Sequence, residues 1–275
     1  MFAAERRQLV LELVRNQGAV SLRELAAAVR ASDVTVRRDL RYLESAGLLS
    51  RRHGGAVAAT GPAGASHEPT YTEKTRQAAE EKAAIAAAAV ELVSDGDAVV
   101  LGAGTTTQAL ARRLASFAEL TVVTNSLLVA QALARSRHIE VVLAGGALRG
   151  SILATIGPAA EQMLAGMRVT TAFISGNGLT AARGLSTPNI SVASMDRALV
   201  STAARVAVLA DRTKIGVEAV VQTVPAERID HLYTDDGADA DELARLTELG
   251  VHVHVAPPLG DRTPDQSMSE ADQAV

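Results

Sequence analysis

A glycine- and threonine-rich loop carries the residues best suited to bind an anion. The loop reads Gly102-Ala103-Gly104-Thr105-Thr106-Thr107, follows an apolar run and opens a helical stretch. Backbone N–H groups at a helix N-terminus, together with three hydroxyls, favour a phosphate. The loop lacks the third glycine and the acidic follower of a dinucleotide fingerprint, and it is not a P-loop. An ordinary strand–helix turn is therefore the competing interpretation.

Further polar loops stand in equivalent positions, each after an apolar run. They contain Asn125 and Ser126, Gly145, Gly146 and Arg149, Asn177, and Asp211 with Lys214. Because ligands bind at the carboxyl ends of parallel strands, we expect these loops to converge on one pocket. Lys214 is the most informative residue, since the chain has 24 Arg and only three Lys. A lysine ammonium is a common phosphate partner, although a surface lysine in a turn is more frequent.

A second group of residues is suited to contact nucleic acid. Val36, Leu40 and Leu43 recur with the period of one helix face. The outward positions of that helix are then Val34, Thr35, Arg37, Arg38 and Arg41. An arginine can form two hydrogen bonds to guanine, and a valine methyl can pack on thymine. An arginine-bearing face is more often a solvated surface, so its flanking elements decide the interpretation.

Those flanking elements predict a winged helix-turn-helix domain over residues 1–58. A first helix is expected over residues 3–16, and a capping box of Ser21 and Glu24 starts the second. Ser32 is the expected N-cap of the third helix. Downstream, a basic hairpin that contains Arg51, Arg52 and His53 is expected to contact phosphates.

Charge is divided unevenly along the chain. The net charge is −4, but residues 1–58 hold ten Arg against six Asp and Glu, which gives +4 and leaves −8 for the remainder. A basic head on an acidic body fits specific DNA binding better than a non-specific chromatin-type protein. The absence of Cys, of a long apolar run and of a signal-peptide segment predicts a cytoplasmic protein.

The remainder of the chain predicts a Rossmann-like α/β domain over residues 71–257. A linker rich in Ala, Gly and Pro covers residues 59–70, helix is expected from 71 to 93, and residues 258–275 form a polar tail that is expected to be disordered. Strands are expected at 98–101, 120–124, 139–144, 172–175, 205–210, 232–234 and 251–255, and helices near 105–116, 126–136, 157–166, 190–204 and 238–249. Such alternation indicates a mostly parallel sheet.

No metal site is expected. His252 and His254 alternate on a predicted strand and share one face. A solvent-facing strand explains them better than a metal, because no third ligand lies nearby in the sequence.

The third helix and the hairpin resemble the N-terminal signature of the DeoR family of bacterial transcriptional regulators. The resemblance is carried by Val34-Thr35-Val36-Arg37-Arg38-Asp39-Leu40, Leu43-Glu44, Gly47-Leu48 and Arg52-His53-Gly54-Gly55-Ala56. In the body, the loops at 104–107, 123–126, 145–149 and 209–216 resemble the sensor domain of that family. Many members have a Glu and a Lys where Val192 and Asp196 stand in this chain.

The resemblance implies a sensor domain with a fold like that of ribose-5-phosphate isomerase, which responds to phosphorylated sugars. It therefore predicts a DNA-binding repressor of carbohydrate-metabolism genes that acts on a double-stranded operator. We expect a homodimer or larger homo-oligomer, since one head reads only a few base pairs.

A sugar-phosphate isomerase that carries a DNA-binding head is the alternative. Isomerisation needs a carboxylate base and a neighbouring acid or cation. The predicted loops offer Asp211 beside Lys214 and no second carboxylate. We therefore expect no catalytic residues, no cofactor and no enzymatic activity.

Overall fold

The computed structural model describes residues 3–17, 19–45, 49–52, 55–58 and 70–259. The first elements along the chain are α1 (Ala3–Gln17), β1 (Ala19–Ser21), α2 (Leu22–Ala28), α3 (Asp33–Ser45), β2 (Leu49–Arg52) and β3 (Gly55–Ala58). We refer to these six elements as the head. Within the described ranges, every helix is too short or too polar to span a lipid bilayer.

The head is a winged helix-turn-helix. Its core draws Val10 from α1, Leu25 from α2, Leu40 from α3 and Leu49 from β2. The predicted capping box at the start of α2 is confirmed, because Ser21 and Glu24 exchange hydrogen bonds. The boundaries of α1 agree with the predicted helix to within one residue.

The three short strands of the head form an antiparallel sheet in the order β1-β3-β2. In the wing, β2 and β3 pair from Leu49 opposite Ala58 to Arg52 opposite Gly55. A Cβ atom on Gly55 would lie 2.2 Å from the carbonyl oxygen of Val20 on β1. Only glycine therefore lets β3 approach β1 closely enough to pair.

The body, residues 70–259, contains the remaining elements. Its helices are α4 (Tyr71–Arg76), α5 (Ala79–Ala89), α6 (Thr105–Leu114), α7 (Leu127–Leu133), α8 (Pro158–Leu164), α9 (Ile190–Ser201) and α10 (Ala240–Glu248), with short 3-10 turns at Val90–Leu92 and Ala226–Arg228. Its strands are β4 (Ala98–Leu101), β5 (Leu120–Thr124), β6 (Ile139–Leu143), β7 (Ala147–Arg149), β8 (Ala154–Ile156), β9 (Val169–Ile174), β10 (Gly178–Thr180), β11 (Gly184–Thr187), β12 (Ala203–Leu209), β13 (Val221–Val224), β14 (His231–Asp235) and β15 (His252–Ala256).

A seven-stranded parallel sheet organises the body, in the order β15-β14-β12-β9-β4-β5-β6. Alternate side chains enter two separate cores, with Val100 and Ile174 on one face and Leu101 and Phe173 on the other. The chain runs outward from β4 to β6 and then returns to β9 on the other side of β4. The point between β4 and β9 is thus a topological switch point, where α/β sheets bind ligands.

Two small antiparallel units were not predicted. One is the hairpin of β7 and β8, and the other is a sheet in the order β10-β11-β13. Their strands are only three or four residues long, and β11 pairs Leu185 with Val224, far away in the sequence. Local residue patterns carry little signal for such pairings.

The helix predicted over residues 71–93 is also divided. Ala78 adopts a left-handed conformation with φ 51°, which ends the run between α4 and α5. Lys82 supplies a substitute for the lost helical hydrogen bonds, since its ammonium donates to the carbonyl oxygens of Lys74 and Gln77. The division is therefore stabilised by a side chain that periodicity alone does not reveal.

Candidate nucleic-acid interface and ligand cavity

The outward face of α3 is cationic and open to solvent. The predicted contact residues Val34, Arg37, Arg38 and Arg41 are exposed, and Thr35 is half-buried. Val36 and Leu43 lie on the opposite face, in the head core. The hydroxyl of Ser32 accepts a hydrogen bond from the backbone N–H of Thr35 at 3.3 Å, which confirms Ser32 as the N-cap.

A buried carboxylate fastens α3 to α1. Asp39 is 1% exposed and accepts hydrogen bonds from Nε of Arg6 at 2.6 Å and from Nε of Arg7 at 2.9 Å. The Arg7 guanidinium also stacks 3.9 Å above the ring centre of Tyr42. Sequence reasoning counted both arginines only as part of the positive charge of the head. The structure shows that they hold α3 in place.

Two of the predicted wing residues, Arg51 and Arg52, lie at the end of β2. Arg51 and Arg52 belong to β2, where they pair with Ala56 and Gly55 of β3. His53 lies outside the described residues. The strand pairing thus places Arg51 and Arg52 at the tip of the hairpin.

A cavity opens at the switch point of the large sheet. Its floor consists of loops that follow β4, β9 and β12, and α4 forms one wall. The space between these elements, including the open mouth of the cavity, is about 670 Å³. Six predicted ligand residues line it: Gly104, Thr105, Thr106, Asn177, Asp211 and Lys214.

The other predicted ligand residues lie outside the described lining of the cavity: Thr107, Asn125, Ser126, Gly145, Gly146 and Arg149. The Thr107 hydroxyl donates to the carbonyl oxygen of Gly104 at 3.0 Å and thereby supports the loop from behind. Asn125 donates through Nδ2 to the carbonyl oxygen of Thr155 at 3.0 Å, and Ser126 caps α7. These side chains hold neighbouring elements of the body together.

The remaining three predicted residues, Gly145, Gly146 and Arg149, lie in or next to the β7–β8 hairpin. Gly145 and Gly146 connect β6 to this hairpin, and a Cβ atom on Gly146 would lie 2.7 Å from the carbonyl oxygen of Ile156. Arg149 is half-buried at the end of β7, opposite Ala154. Gly146 is thus part of a close backbone approach, and neither glycine belongs to the described cavity wall.

All three lysines of the chain line the cavity: Lys74, Lys82 and Lys214. Sequence reasoning singled out Lys214 and missed the other two, because they lie on helices that precede the first strand of the sheet. Lys82 is 5% exposed, and its Nζ lies 4.0 Å from Oδ2 of Asp211. Burial, with a smaller effect from Lys214, lowers the pKa of Lys82 from 10.5 to about 8, although Asp211 opposes this change. The rarity of lysine was the signal that could have identified all three.

Two carboxylates reach the cavity, which corrects the expectation of one. Asp211 is 1% exposed, and its Oδ1 accepts a hydrogen bond from the backbone N–H of Thr213 at 3.1 Å. Asp196 of α9 is 5% exposed and lines the same cavity. The prediction of a single carboxylate was wrong because Asp196 lies inside the helix α9, whereas ligand residues were predicted only in loops.

The first turn of α6 faces the cavity without a competing cap. Gly104 precedes this ten-residue helix, no side chain caps it, and its first turn contains no acidic residue. The backbone N–H of Gly102 donates to the carbonyl oxygen of Phe173 at 2.9 Å, which keeps this loop close to the end of β9. Amides at a helix N-terminus attract an anion, and nearby lysines strengthen that preference.

The histidines form a separate cluster at the edge of the large sheet. His252 and His254 are exposed on β15, as predicted. His231 of β14 joins them, with its Nδ1 3.1 Å from Nε2 of His254. No group of three or more ligand side chains that could hold a metal ion is found in the described part of the chain.

The fold and these two sites define a DNA-binding regulator with a ligand-sensing domain. Residues 6–61 match the DeoR-like helix-turn-helix domain, and residues 77–236 match the DeoR C terminal sensor domain. The chain belongs to the DeoR family of transcriptional regulators.

Relatives support this classification along nearly the whole chain. The HTH-type transcriptional regulator GlpR of Haloferax volcanii is 39% identical over 253 residues, which cover 92% of this chain and 98% of the relative. The putative aga operon transcriptional repressor of Escherichia coli O157:H7 is 34% identical over 252 residues, or 91% and 93% of the two chains. The chain is accordingly a regulator and not an enzyme, despite the second carboxylate in its cavity.

Among solved structures, the ribose 5-phosphate isomerase A of Methanocaldococcus jannaschii aligns with a TM-score of 0.38 and 18% identity, and covers 50% of this chain and 55% of its own. The translation initiation factor eIF-2B of Pyrococcus horikoshii OT3 aligns with a TM-score of 0.42 and 14% identity, and covers 84% and 86%.

Proposed function

We propose that this regulator represses carbohydrate-metabolism genes and that a phosphorylated sugar in the cavity controls its binding to DNA. The proposal rests on one observation: all three lysines and the first turn of α6 line the same cavity. The aga operon repressor and GlpR are relatives that share the two-domain organisation.

On the DNA side, α3 enters the major groove with its exposed face. Arg37 and Arg38 are the candidates for hydrogen bonds to base edges, and Val34 for contact with a thymine methyl. Arg41 and the wing residues contact phosphates and fix the register. Because one head covers only a short site, the regulator acts as a homodimer or larger homo-oligomer on repeated half-sites.

On the ligand side, the phosphate lies against Thr105 and Thr106 at the start of α6. The lysine side chains surround it and supply charge-assisted hydrogen bonds. The Asn177 amide then donates hydrogen bonds to the sugar hydroxyls, and the carboxylates of Asp196 and Asp211 accept hydrogen bonds from them. The carboxylates leave the cavity with a mixed charge, which favours a ligand that combines an anionic end with a hydroxylated one.

A thermal-shift titration tests the ligand class. Sugar phosphates should raise the melting temperature much more than the matching free sugars, because a ligand stabilises the folded state according to its concentration relative to Kd. Inorganic phosphate should stabilise as well. Equal responses to free sugars and to their phosphates would contradict the proposal.

Two neighbouring threonines provide a matched pair of variants. Thr106 lines the cavity and Thr107 does not, although both are buried in α6. Thr106→Val should remove a hydroxyl from the cavity and strongly reduce the stabilisation by phosphate, whereas Thr107→Val, which removes only a support behind the loop, should lower the basal melting temperature and reduce the response to phosphate less. Lys214→Gln should weaken the response in the same way as Thr106→Val.

A further inference from the structure

The short helix α4 forms part of the cavity wall and makes hydrogen bonds to neighbouring parts of the chain. Tyr71 and Lys74 of α4 line the cavity. The backbone N–H of Tyr71 donates to the carbonyl oxygen of Ser151 at 2.8 Å, and its hydroxyl donates to Oε1 of Gln108 on α6 at 3.2 Å. The first residue of α4 is therefore attached to two residues, Ser151 and Gln108, that stand next to the lining of the cavity.

The other end of α4 is attached to the site through Lys82. The Lys82 ammonium donates to the carbonyl oxygens of Lys74 and Gln77, at the end of α4, and the same ammonium lies beside Asp211 in the cavity. No helical backbone continues through this junction, because Ala78 is left-handed with φ 51°. A non-glycine residue in that region is strained, and such strain is typical of hinges and switches.

A hydrogen bond connects α4 to the head. Nε2 of Gln8 on α1 donates to Oε1 of Glu73 on α4 at 3.4 Å. The neighbouring residues Arg6 and Arg7 of α1 hold Asp39 of α3. A continuous set of contacts thus leads from the cavity lysines through α4 and α1 to the helix that faces DNA.

We propose that α4 is the relay by which an anion in the cavity changes the placement of the head. A phosphate draws the ammonium groups of Lys74 and Lys82 toward itself, and the contact that Lys82 makes with the end of α4 is remodelled. The change reaches α1 through the contact of Glu73 with Gln8, and α3 follows because Asp39 joins it to α1. This inference rests on the proposed phosphate site and adds its route to the DNA-binding surface.

Hydrogen exchange of the full-length chain in inorganic phosphate, against chloride of equal ionic strength, tests the relay. Phosphate should change the exchange of amides in the 102–107 loop, in α4 and in α1, by about fivefold or more in α1 if the coupling is of ordinary allosteric size. In Gln8→Leu the changes in the loop and α4 should remain, and the change in α1 should be lost.

Glu12→Gln is the matched control. Gln8 also donates to Oε1 of Glu12 at 3.2 Å, so this variant alters the same face of α1 and leaves the contact with Glu73 in place. It should behave like the parent protein.

Two further outcomes would overturn the relay. If phosphate protects the loop and α4 but never α1, the phosphate site stands and the relay is wrong. If phosphate changes exchange nowhere, including in the 102–107 loop, the phosphate site itself is wrong and the relay falls with it.

Discussion

Phosphate binding should weaken as the pH rises through about 8, because Lys82 must be protonated to bind an anion. Burial lowers the pKa of Lys82 to about 8 in the empty protein, whereas a bound dianion raises it again. A phosphate monoester such as methyl phosphate, with a second pKa of about 6, remains a dianion above neutrality. Binding therefore takes up a proton at Lys82, and the affinity falls where the empty protein has lost that proton.

The size of the effect follows from the protonated fraction of Lys82. With a pKa of about 8, the fraction decreases from roughly 0.9 at pH 7 to roughly 0.1 at pH 9, so the affinity should fall about tenfold, or about 1.4 kcal/mol. Isothermal titration calorimetry with methyl phosphate, which stays a dianion over this range, measures this change. Repeating the titration in buffers of different ionisation enthalpy measures the proton uptake directly.

Variants of the cavity residues should change the pH dependence of phosphate binding in different directions. Lys82→Met should remove the pH dependence between pH 7 and 9. Lys214→Gln should weaken binding and move the midpoint to higher pH, since the charge of Lys214 lowers the pKa of Lys82. Asp211→Asn should move the midpoint to lower pH, because Asp211 raises that pKa. An affinity that stays constant from pH 7 to 9, or an unchanged slope in Lys82→Met, would refute the reasoning.

Other predictions concern the head and the sheet edge. Arg38→Ala should cost about 1–3 kcal/mol of binding free energy on a preferred DNA sequence, whereas Arg52→Ala should weaken binding to all sequences alike and reduce its salt dependence. Binding titrations at several salt concentrations on selected genomic fragments check both variants. Unchanged affinities would show that these arginines do not contact DNA. Leu40→Ala, which empties part of the head core, should destabilise the head by about 2–5 kcal/mol in urea melts, while exposed Val34→Ala should change stability little. Burial and neighbouring histidines lower the pKa of His231 and of His254. The unfolded state therefore binds more protons than the folded state just below pH 6.5, and the free energy of unfolding should fall there. In melts at pH 7.5 and 5.5, His254→Gln should lose less stability between the two pH values than the parent protein.

The sequence predicted the head well because each of its features is local. The capping box of Ser21 and Glu24 and the helical period of Val36, Leu40 and Leu43 depend on residues a few positions apart. The large sheet was also predictable, since its buried parallel strands are continuous apolar runs. Strand ends shifted, however: the strand expected at 172–175 is Val169–Ile174.

The ligand cavity was predictable only in part, for topological reasons. The loops after β4, β9 and β12 meet at the switch point. The predicted ligand residues Thr105, Asn177 and Lys214, which lie on or directly after these loops, therefore line one cavity. The loops after β5 and β6 serve the β7–β8 hairpin instead, and no local pattern announces that hairpin. Lys82 and Asp196 come from helices that fold over the strand ends, and their arrival at the site depends on the tertiary fold.

Because every lysine of the chain lines one cavity, modification of lysine side chains on this protein is confined to a single place. A lysine-directed acylating reagent becomes a footprint of the sensor site without any engineered label, and an occupied site should slow the reaction. Burial lowers the pKa of Lys82 to about 8, so roughly a tenth of its amine is uncharged and nucleophilic at pH 7. Acylation of lysine in a cell would likewise remove positive charge from the sensor and leave the arginine-based DNA surface chemically untouched.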